Sequence, residues 1–249
     1  MSQNQHTVNT NSLQGMIFAA GLGTRFKPWT DKHPKALAVV HGKSLLQRNI
    51  EYLQQYGIYR VVVNVHHFAD QIIAAIEKNK GWGSTVTISD ETDMVLETGG
   101  GIKKAAPLFT ADNIVVINVD ILTDLDLGKL ISFHQQQNPL ATVAITNRNT
   151  SRYFLFDGAG TLCGWRNIQT GEEKIARLAT PYFQKAFSGI HVINKKLLPL
   201  LQQEGKFSMV DAYLKLAPAY IIKGYDHSGS RFIDVGKTDS VAAAEKLFG

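Results

Sequence analysis

The sequence predicts an α/β protein built on a parallel sheet with helices on both faces. Three observations carry this prediction. Short apolar runs rich in β-branched residues alternate with amphipathic segments, in the order β-α-β-α-β between residues 16 and 89. Glycines follow the amphipathic segments as helix stop signals. A chain of 249 residues can bury one large core, and nothing in it requires a second domain.

The predicted elements follow from hydrophobic periodicity along the chain. Strands are predicted over 16–20, 60–65, 84–89, 114–120, 140–145, 152–165, 185–193 and 221–225. Helices are predicted over 43–56, 68–80, 102–109, 197–201, 209–216 and 238–248. A polar, glycine-containing insertion spans 167–185, and residues 1–14 are expected to form a disordered polar tail.

Composition excludes several functional classes. The net charge of +5 suits anionic small molecules, but no dense Lys/Arg run of the kind that favours nucleic acid is present. No apolar run approaches the ~20 residues of a membrane helix, and the polar first residues do not resemble a signal peptide. Cys163 is the only cysteine, so a reducing cytoplasm is the expected location.

A glycine loop follows the first predicted strand. Gly21 and Gly23 allow backbone N–H groups to approach an anion closely, because no Cβ stands in the way. Arg25 and Lys35 supply positive charge suited to phosphate oxygens. The loop is therefore interpreted as a triphosphate site, although a glycine turn with solvated cations remains the alternative.

Two other phosphate-binding loops do not fit this stretch. The Walker loop closes on a Lys-Ser/Thr pair, whereas this chain continues as Phe26-Lys27-Pro28. The dinucleotide fingerprint needs a third glycine, and Phe26 occupies that position. An enzyme of hydride transfer is therefore disfavoured.

A second glycine-rich stretch runs from Leu96 to Gly101. Three consecutive glycines disfavour regular structure, so we expect them where a flat ligand approaches the backbone. A flexible turn without a ligand is the alternative. Glu97, in the same stretch, either contacts the ligand or caps the helix that follows.

Asp120 ends the most hydrophobic predicted strand. Ligands of open α/β sheets gather at the carboxyl ends of strands, so this carboxylate is well placed to bind a metal ion. Asp124 and Asp126 follow it, and their alternation with leucines is more typical of helix caps.

The segment at 19–37, AAGLGTRFKPWTDKHPKAL, resembles the signature of the sugar-1-phosphate nucleotidyltransferases. Further similar motifs are LETGGGI at 96–102, NVDILTD at 118–124, FSGIHVI at 187–193 and FIDVGKTDS at 232–240. The resemblance covers nearly all of the chain after residue 14. The LETGGGI form is similar to short bacterial enzymes of the muramate-type uridylyltransferase and mannose-1-phosphate-type guanylyltransferase branches.

The resemblance implies a Rossmann-like three-layer α/β/α mixed sheet, the nucleotide-diphospho-sugar transferase fold. A single domain over 15–249 is expected, with a nucleotide half at about 15–127 and a sugar-phosphate half, carrying a sugar-binding insertion, at about 128–249. The implied reaction is Mg²⁺-dependent and joins an NTP, expected to be UTP, to a sugar 1-phosphate of the N-acetylated muramate type. GTP with mannose 1-phosphate, a related glycosyltransferase activity and a non-catalytic nucleotide-binding role are the alternatives, and the oligomeric state is left open.

The resemblance also implies roles for individual residues. Arg25 and Lys35 are the expected catalytic cations, and Asp120 and Asp234 the expected metal ligands. Expected nucleotide-binding residues are Ala19, Ala20, Gly21, Gly23, Thr24, Glu97, Thr98, Gly99 and Gly100. Expected sugar-phosphate-binding residues are Asn118, Lys174, Ser188 and Gly189. The chain departs from the family pattern twice, with Val119 for a glycine and Glu173-Lys174-Ile175 for Glu-Lys-Pro.

Overall fold

The structure, a computed structural model, describes residues 12–249. The strands in chain order are β1 Leu13–Phe18, β2 Val39–Val40, β3 Lys43–Ser44, β4 Arg60–Val65, β5 Thr85–Asp90, β6 Asn113–Asn118, β7 Ile121–Thr123, β8 Ala141–Thr146, β9 Arg152–Phe156, β10 Leu162–Asn167, β11 Glu172–Ile175, β12 Phe183–Asn194, β13 Ile222–Asp226 and β14 Phe232–Asp234. The α-helices are α1 Leu45–Gln54, α2 Ala69–Lys78, α3 Glu97–Ala105, α4 Leu127–Gln137, α5 Met209–Leu216 and α6 Asp239–Phe248.

Ten of these strands form one mixed sheet. Strands β5, β4, β1 and β6 are parallel neighbours in that order, which confirms the parallel core predicted from the sequence. Strand β12 pairs with β6 in the antiparallel sense, and it also pairs with two further strands along its length. Its first residues pair with β9, which leads to β10 and β11, and its later residues pair with β8, which leads to β13.

Alternate residues of the central strands face two separate hydrophobic cores, so the molecule has three layers. Val61 and Val63 of β4 pack in the core that contains α1, α2, α4 and α6. Val62, between them, packs in the core that contains α3 and α5. This alternation follows from the two-residue period of a strand, and burial of both faces explains the near-continuous apolar runs of the sequence. The predicted α/β/α architecture is confirmed.

Two predicted boundaries need correction. Leu13 and Gln14 belong to β1 and are buried, so the folded part begins before the predicted end of the tail at residue 14. The rest of that predicted tail, residues 1–11, lies outside the described residues. Helix α3 begins at Glu97 rather than at residue 102, so the consecutive glycines form its first turns instead of a loop.

The topology brings the chemically important segments to one edge of the sheet. Strands β1, β4 and β6 run in the same direction, so Phe18, Val65 and Asn118 end them at a common edge. Strand β14 pairs with β7 beside this edge, with Asp234 opposite Ile121. In the part of the chain that the structure describes, no helix is long and apolar enough to cross a membrane.

Candidate active site

The first glycine loop is anchored by an asparagine from the neighbouring strand. The backbone N–H groups of Ala19 and Ala20 donate to Asn64 Oδ1 at 2.7 and 3.4 Å. Gly23 has a φ of +59°, and a Cβ there would lie 2.8 Å from Thr30 Cγ2. A Cβ on Gly21 would meet no atom within 4 Å. Gly23 is therefore required by the fold, whereas Gly21 faces open space.

Lys35 and Asp120 form a partly buried ion pair. Lys35 Nζ lies 2.5 Å from Asp120 Oδ2, and their side chains are 11% and 22% exposed. Lys35 begins a short 3₁₀ turn that follows Pro34, and Asp120 follows β6. Because the pair is shielded from water, it fixes the ammonium group beside the carboxyl ends of the parallel strands.

The second aspartate lies against the first. Pairing of β14 with β7 sets Asp234 opposite Ile121, and Val235 N donates to the carbonyl oxygen of Asp120 at 2.8 Å. Burial, and then repulsion from the Asp120 carboxylate, raises the pKa of Asp234, while Lys35 and Arg25 oppose this shift. The two carboxyl groups and the two cations thus form one electrostatic cluster.

The donor set fits a divalent cation. Asp234 Oδ1 is buried and has no hydrogen-bond partner among the described residues, so the fold leaves an acceptor unsatisfied beside a second carboxylate. No cluster of three or more His, Cys, Asp or Glu side chains with metal-binding geometry occurs within residues 12–249. One or two carboxylates, completed by substrate oxygens and water, are the usual protein contribution to a Mg²⁺ site.

A cavity of about 310 Å³ opens beside this cluster. Predicted site residues that line it are Ala19, Ala20, Gly21, Gly23, Thr24, Arg25, Lys35, Glu97, Thr98, Asn118 and Asp120. Its remaining lining residues are Phe18, Asn64, Glu91, Val95, Val119 and Gly236. Two segments far apart in sequence, the glycine loop and the start of α3, therefore line the same cavity.

Comparison with known proteins identifies the family. The model of the nucleotidyl transferase family matches residues 14–247. The chain belongs to this family.

Individual relatives are similar over different shares of the chain. An N-acetylmuramate alpha-1-phosphate uridylyltransferase of Caulobacter vibrioides is 44% identical over 107 residues, which cover 42% of this chain and 44% of the relative. A D-glycero-alpha-D-manno-heptose 1-phosphate guanylyltransferase of Aneurinibacillus thermoaerophilus is 27% identical over 94% of this chain and 97% of its own. The chain thus spans less than half of the uridylyltransferase but nearly all of the guanylyltransferase.

A solved structure supports the same fold assignment. The crystal structure of HddC from Yersinia pseudotuberculosis complexed with GMP-PN superimposes with a TM-score of 0.75 at 25% identity, over 95% of this chain and 99% of that one. The nucleotide-diphospho-sugar transferase fold implied by the sequence motifs is therefore confirmed.

The glycines of α3 serve a different purpose from the one expected of them. A Cβ on Gly99 would lie 2.4 Å from the Phe207 ring, and one on Gly100 would lie 2.3 Å from the Gly205 carbonyl oxygen. The N–H groups of both glycines donate to the carbonyl oxygen of Phe207 at 2.9 and 3.2 Å. The segment before α5 therefore occupies this side of the glycines, and neither Gly99 nor Gly100 is among the residues that line the cavity. Their contact with a nucleotide stays a prediction.

Two polar residues that line the cavity, Asn64 and Glu91, were not among the predicted site residues. Asn64 Nδ2 donates to Glu91 Oε1 at 2.8 Å, while its oxygen holds the glycine loop. Glu91 is 1% exposed, and its burial raises the pKa of the carboxyl group. Both residues stand at or just after the ends of parallel strands, β4 and β5. The strand-end argument that selected Asp120 would have found them.

The other predicted sugar-phosphate residues lie outside this cavity. Ser188 is buried, and its hydroxyl group lies 2.7 Å from His227 Nε2. Gly189, with φ of +73°, lets β12 approach the end of β6, since a Cβ would lie 2.7 Å from Asn118 Nδ2. Lys174 is on β11, 3.3 Å from Asp211 of α5, with its ammonium group over the Trp165 ring.

The two predicted acidic caps have separate roles. Asp126 accepts a hydrogen bond from Lys129 N at the start of α4, which confirms it as a helix cap. Asp124 instead pairs with Arg231, with a 2.7 Å bond to Nε. Neither carboxylate is among the lining residues of the cavity.

Proposed function

We propose that the protein is a Mg²⁺-dependent nucleotidyltransferase that joins an NTP to a sugar 1-phosphate, giving an NDP-sugar and pyrophosphate. One observation carries this proposal: Asp120, Asp234, Lys35 and Arg25 meet beside a cavity of about 310 Å³. That volume is within the range of small-molecule sites. Membership of the nucleotidyl transferase family supports the same reaction class.

The reaction brings together two polyanions that repel each other. An oxygen of the sugar phosphate attacks the α-phosphorus in line, the bond from the α-phosphorus to the bridging oxygen breaks, and pyrophosphate leaves with that electron pair. The nucleophile is already an anion, so no side chain has to remove a proton. The main work of the protein is to position the phosphates and to neutralise the charge that develops on them.

Each charged side chain has a role in this scheme. Arg25, in the glycine loop, holds the β- and γ-phosphates and stabilises the leaving pyrophosphate. Lys35 contacts the α-phosphate and the attacking phosphate, and its ion pair with Asp120 fixes the position of its ammonium group. Asp120 and Asp234 would hold the divalent cation. When bound, that cation supplies further neutralisation of phosphate charge.

The nucleobase and the sugar define two versions of the proposal. UTP with an N-acetylated, muramate-type hexose 1-phosphate is supported by the LETGGGI motif and by the 44% identical segment. GTP with a mannose- or heptose-type 1-phosphate is supported by guanylyltransferases that match about 95% of the chain. Both versions share the phosphate chemistry, and we propose a cytoplasmic location for either.

The decisive experiment is a substrate panel read by pyrophosphate release. Four NTPs are each tested with N-acetylmuramate, glucose, mannose and heptose 1-phosphates, with Mg²⁺ and with excess chelator. We expect Mg²⁺-dependent release with UTP and the muramate-type substrate, or else with GTP and a manno-configured one. A glycosyltransferase would release no pyrophosphate. Absence of release from every pair would refute the proposal.

A further inference from the structure

Within residues 12–249, four of the five buried side-chain atoms without a hydrogen-bond partner belong to residues from Thr146 onward. Buried side-chain atoms without a hydrogen-bond partner among the described residues are Glu91 Oε2, Thr146 Oγ1, Arg148 Nε, His227 Nδ1 and Asp234 Oδ1. Folded proteins pair nearly all of their buried polar atoms, so a group of such atoms needs an explanation. Glu91 lines the nucleotide cavity, whereas the other four residues are not among those that line it.

Contacts of His227 and Phe232 bring three of these residues, Thr146, Arg148 and His227, close together. His227 N donates to the carbonyl oxygen of Ile145 at 2.9 Å, which sets His227 beside Thr146 at the end of β8. The His227 ring lies 5.9 Å from the Phe232 ring, and the Arg148 guanidinium lies 5.3 Å from the same ring. Phe232 thus joins Arg148 and His227 into one cluster.

The cluster extends to the metal-binding carboxylate. Phe232 and Asp234 are two residues apart on β14, so their side chains leave the same face of the strand. Arg148 is therefore held on the face from which Asp234 extends. Unlike Arg25 and Lys35, Arg148 is not among the residues that line the nucleotide cavity.

The remaining contacts of Arg148 leave its charge available. One terminal nitrogen donates to the carbonyl oxygen of Phe187 at 2.9 Å, and the guanidinium covers the Phe232 ring. No ion pair of Arg148 with a carboxylate occurs within residues 12–249, whereas Lys174, the lysine that the sequence motif suggested, is paired with Asp211. A planar guanidinium with free donors is well suited to two oxygens of one phosphate.

We infer that Arg148 binds the phosphate group of the sugar 1-phosphate and holds it beside Asp234. This inference rests on the proposed function and assigns a residue to its second substrate. The attacking phosphate has to lie close to the metal-binding carboxylates and outside the space of the triphosphate. Arg148 meets both conditions, because it contacts the ring that precedes Asp234 and stands apart from the nucleotide cavity.

A purely structural role for Arg148 makes different predictions. Its bond to Phe187 and its stacking on Phe232 could serve only to hold the loop between β8 and β9. Loss of such a support would lower thermal stability and weaken both substrates together. Loss of a phosphate ligand would weaken the sugar 1-phosphate alone.

The test compares Arg148→Ala, Arg148→Lys and the control Arg166→Ala. Arg166 is an arginine of the same half whose charge is already paired with Glu173 at 3.1 Å. KM is measured separately for the NTP and the sugar 1-phosphate, with the best substrate pair of the wild-type panel, beside thermal unfolding. For Arg148→Ala we expect the KM of the sugar 1-phosphate to rise about ten- to a hundredfold, as for a lost charged hydrogen bond. The KM of the NTP should stay within about threefold.

The variants separate the inference from the proposed function. Arg148→Lys keeps the positive charge but lacks the paired N–H donors of the guanidinium group, so its KM for the sugar 1-phosphate should lie between those of the wild type and Arg148→Ala. Arg166→Ala should match the wild type. An unchanged KM for the sugar 1-phosphate in a folded Arg148→Ala protein, or an equal rise for both substrates, would overturn the inference alone. If the wild type turns over no pair, the proposed function fails first. Calorimetric titration with glucose 1-phosphate then decides: wild-type binding that Arg148→Ala lacks supports the inference, and equal or absent binding refutes it.

Discussion

Residues 15–127, the predicted nucleotide half, and residues 128–249, the predicted sugar-phosphate half, position their polar side chains in different ways. In the first, Ala19, Asn64 and Asp120 each lie at or just after the carboxyl end of a parallel strand, so the direction of the strands brings them to one edge of the sheet. In the second, Arg148 and Ser188 depend on antiparallel pairings that shift register between Phe187 and His191 of β12. The end of a strand can be recognised from the sequence, but a shift in the pairing register between two strands cannot.

The strongest test of the nucleotide half is removal of its central ion pair. For Lys35→Ala and for Asp120→Asn we expect turnover to fall by about a hundredfold or more, because each loses roughly 3 kcal/mol of transition-state stabilisation. Lys27→Ala is the control, since that lysine of the same loop is 63% exposed and pairs with Asp31. Pyrophosphate release at saturating substrate is the measurement. Retention of most of the activity in either variant, with the fold intact, would remove the basis of the proposed mechanism.

Substitutions at two glycines test whether each glycine is needed for packing within the fold or for the approach of a ligand. Gly100→Ala places a Cβ 2.3 Å from a backbone oxygen, so we expect a loss of about 1–3 kcal/mol of unfolding free energy. Gly21→Ala meets no atom within 4 Å, so its stability should match the wild type while its affinity for the NTP falls. Urea unfolding and the KM of the NTP measure the two effects. A stable Gly100→Ala protein with impaired nucleotide binding would reverse our interpretation of α3.

Most of the fold and part of the site could be predicted from the sequence. Periodicity found β4 and α5 with correct bounds, and the motifs selected Lys35, Asp120 and Asp234, which the structure brings together. The packing role of the α3 glycines could not be predicted, because their partners, Gly205 and Phe207, lie about a hundred residues further along the chain. No local pattern records such a contact. Arg148 was overlooked for the same reason, since its importance depends on pairing between distant strands.

The anchor of the glycine loop offers a milder test of the nucleotide half. Asn64→Ala removes the oxygen that accepts from Ala19 N and Ala20 N, and it leaves Glu91 without its amide donor. We expect the KM of the NTP to rise about tenfold, equal to roughly 1.4 kcal/mol, while the KM of the sugar 1-phosphate changes little. Glu91→Gln keeps the size of the side chain that Asn64 contacts, so it should raise the KM of the NTP less than Asn64→Ala does. Equal rises in both KM values would mean that the two halves are not positioned independently.

The smallest expected effect concerns the carboxylate shared by both halves. Burial and the Asp120 carboxylate raise the pKa of Asp234, so the folded protein binds this proton more readily than the unfolded chain does. Ionisation of Asp234 therefore costs stability. The cost is absent below the unfolded pKa of about 3.9, grows as the pH rises through the raised folded value, and is constant above it.

Asp234→Asn should therefore stabilise the metal-free protein near neutral pH, although it removes a predicted metal ligand. We expect a gain of about 1 kcal/mol, or a rise in Tm of about 2–4 °C, that disappears as the pH falls below about 4. Asp120→Asn is the matched control, because it breaks the ion pair with Lys35 and should destabilise instead. Thermal unfolding in chelator over a pH series measures both. If Asp234→Asn proves less stable than the wild type at pH 7, the carboxylates are not in repulsion, and their role as an unsatisfied metal-binding pair loses its electrostatic support.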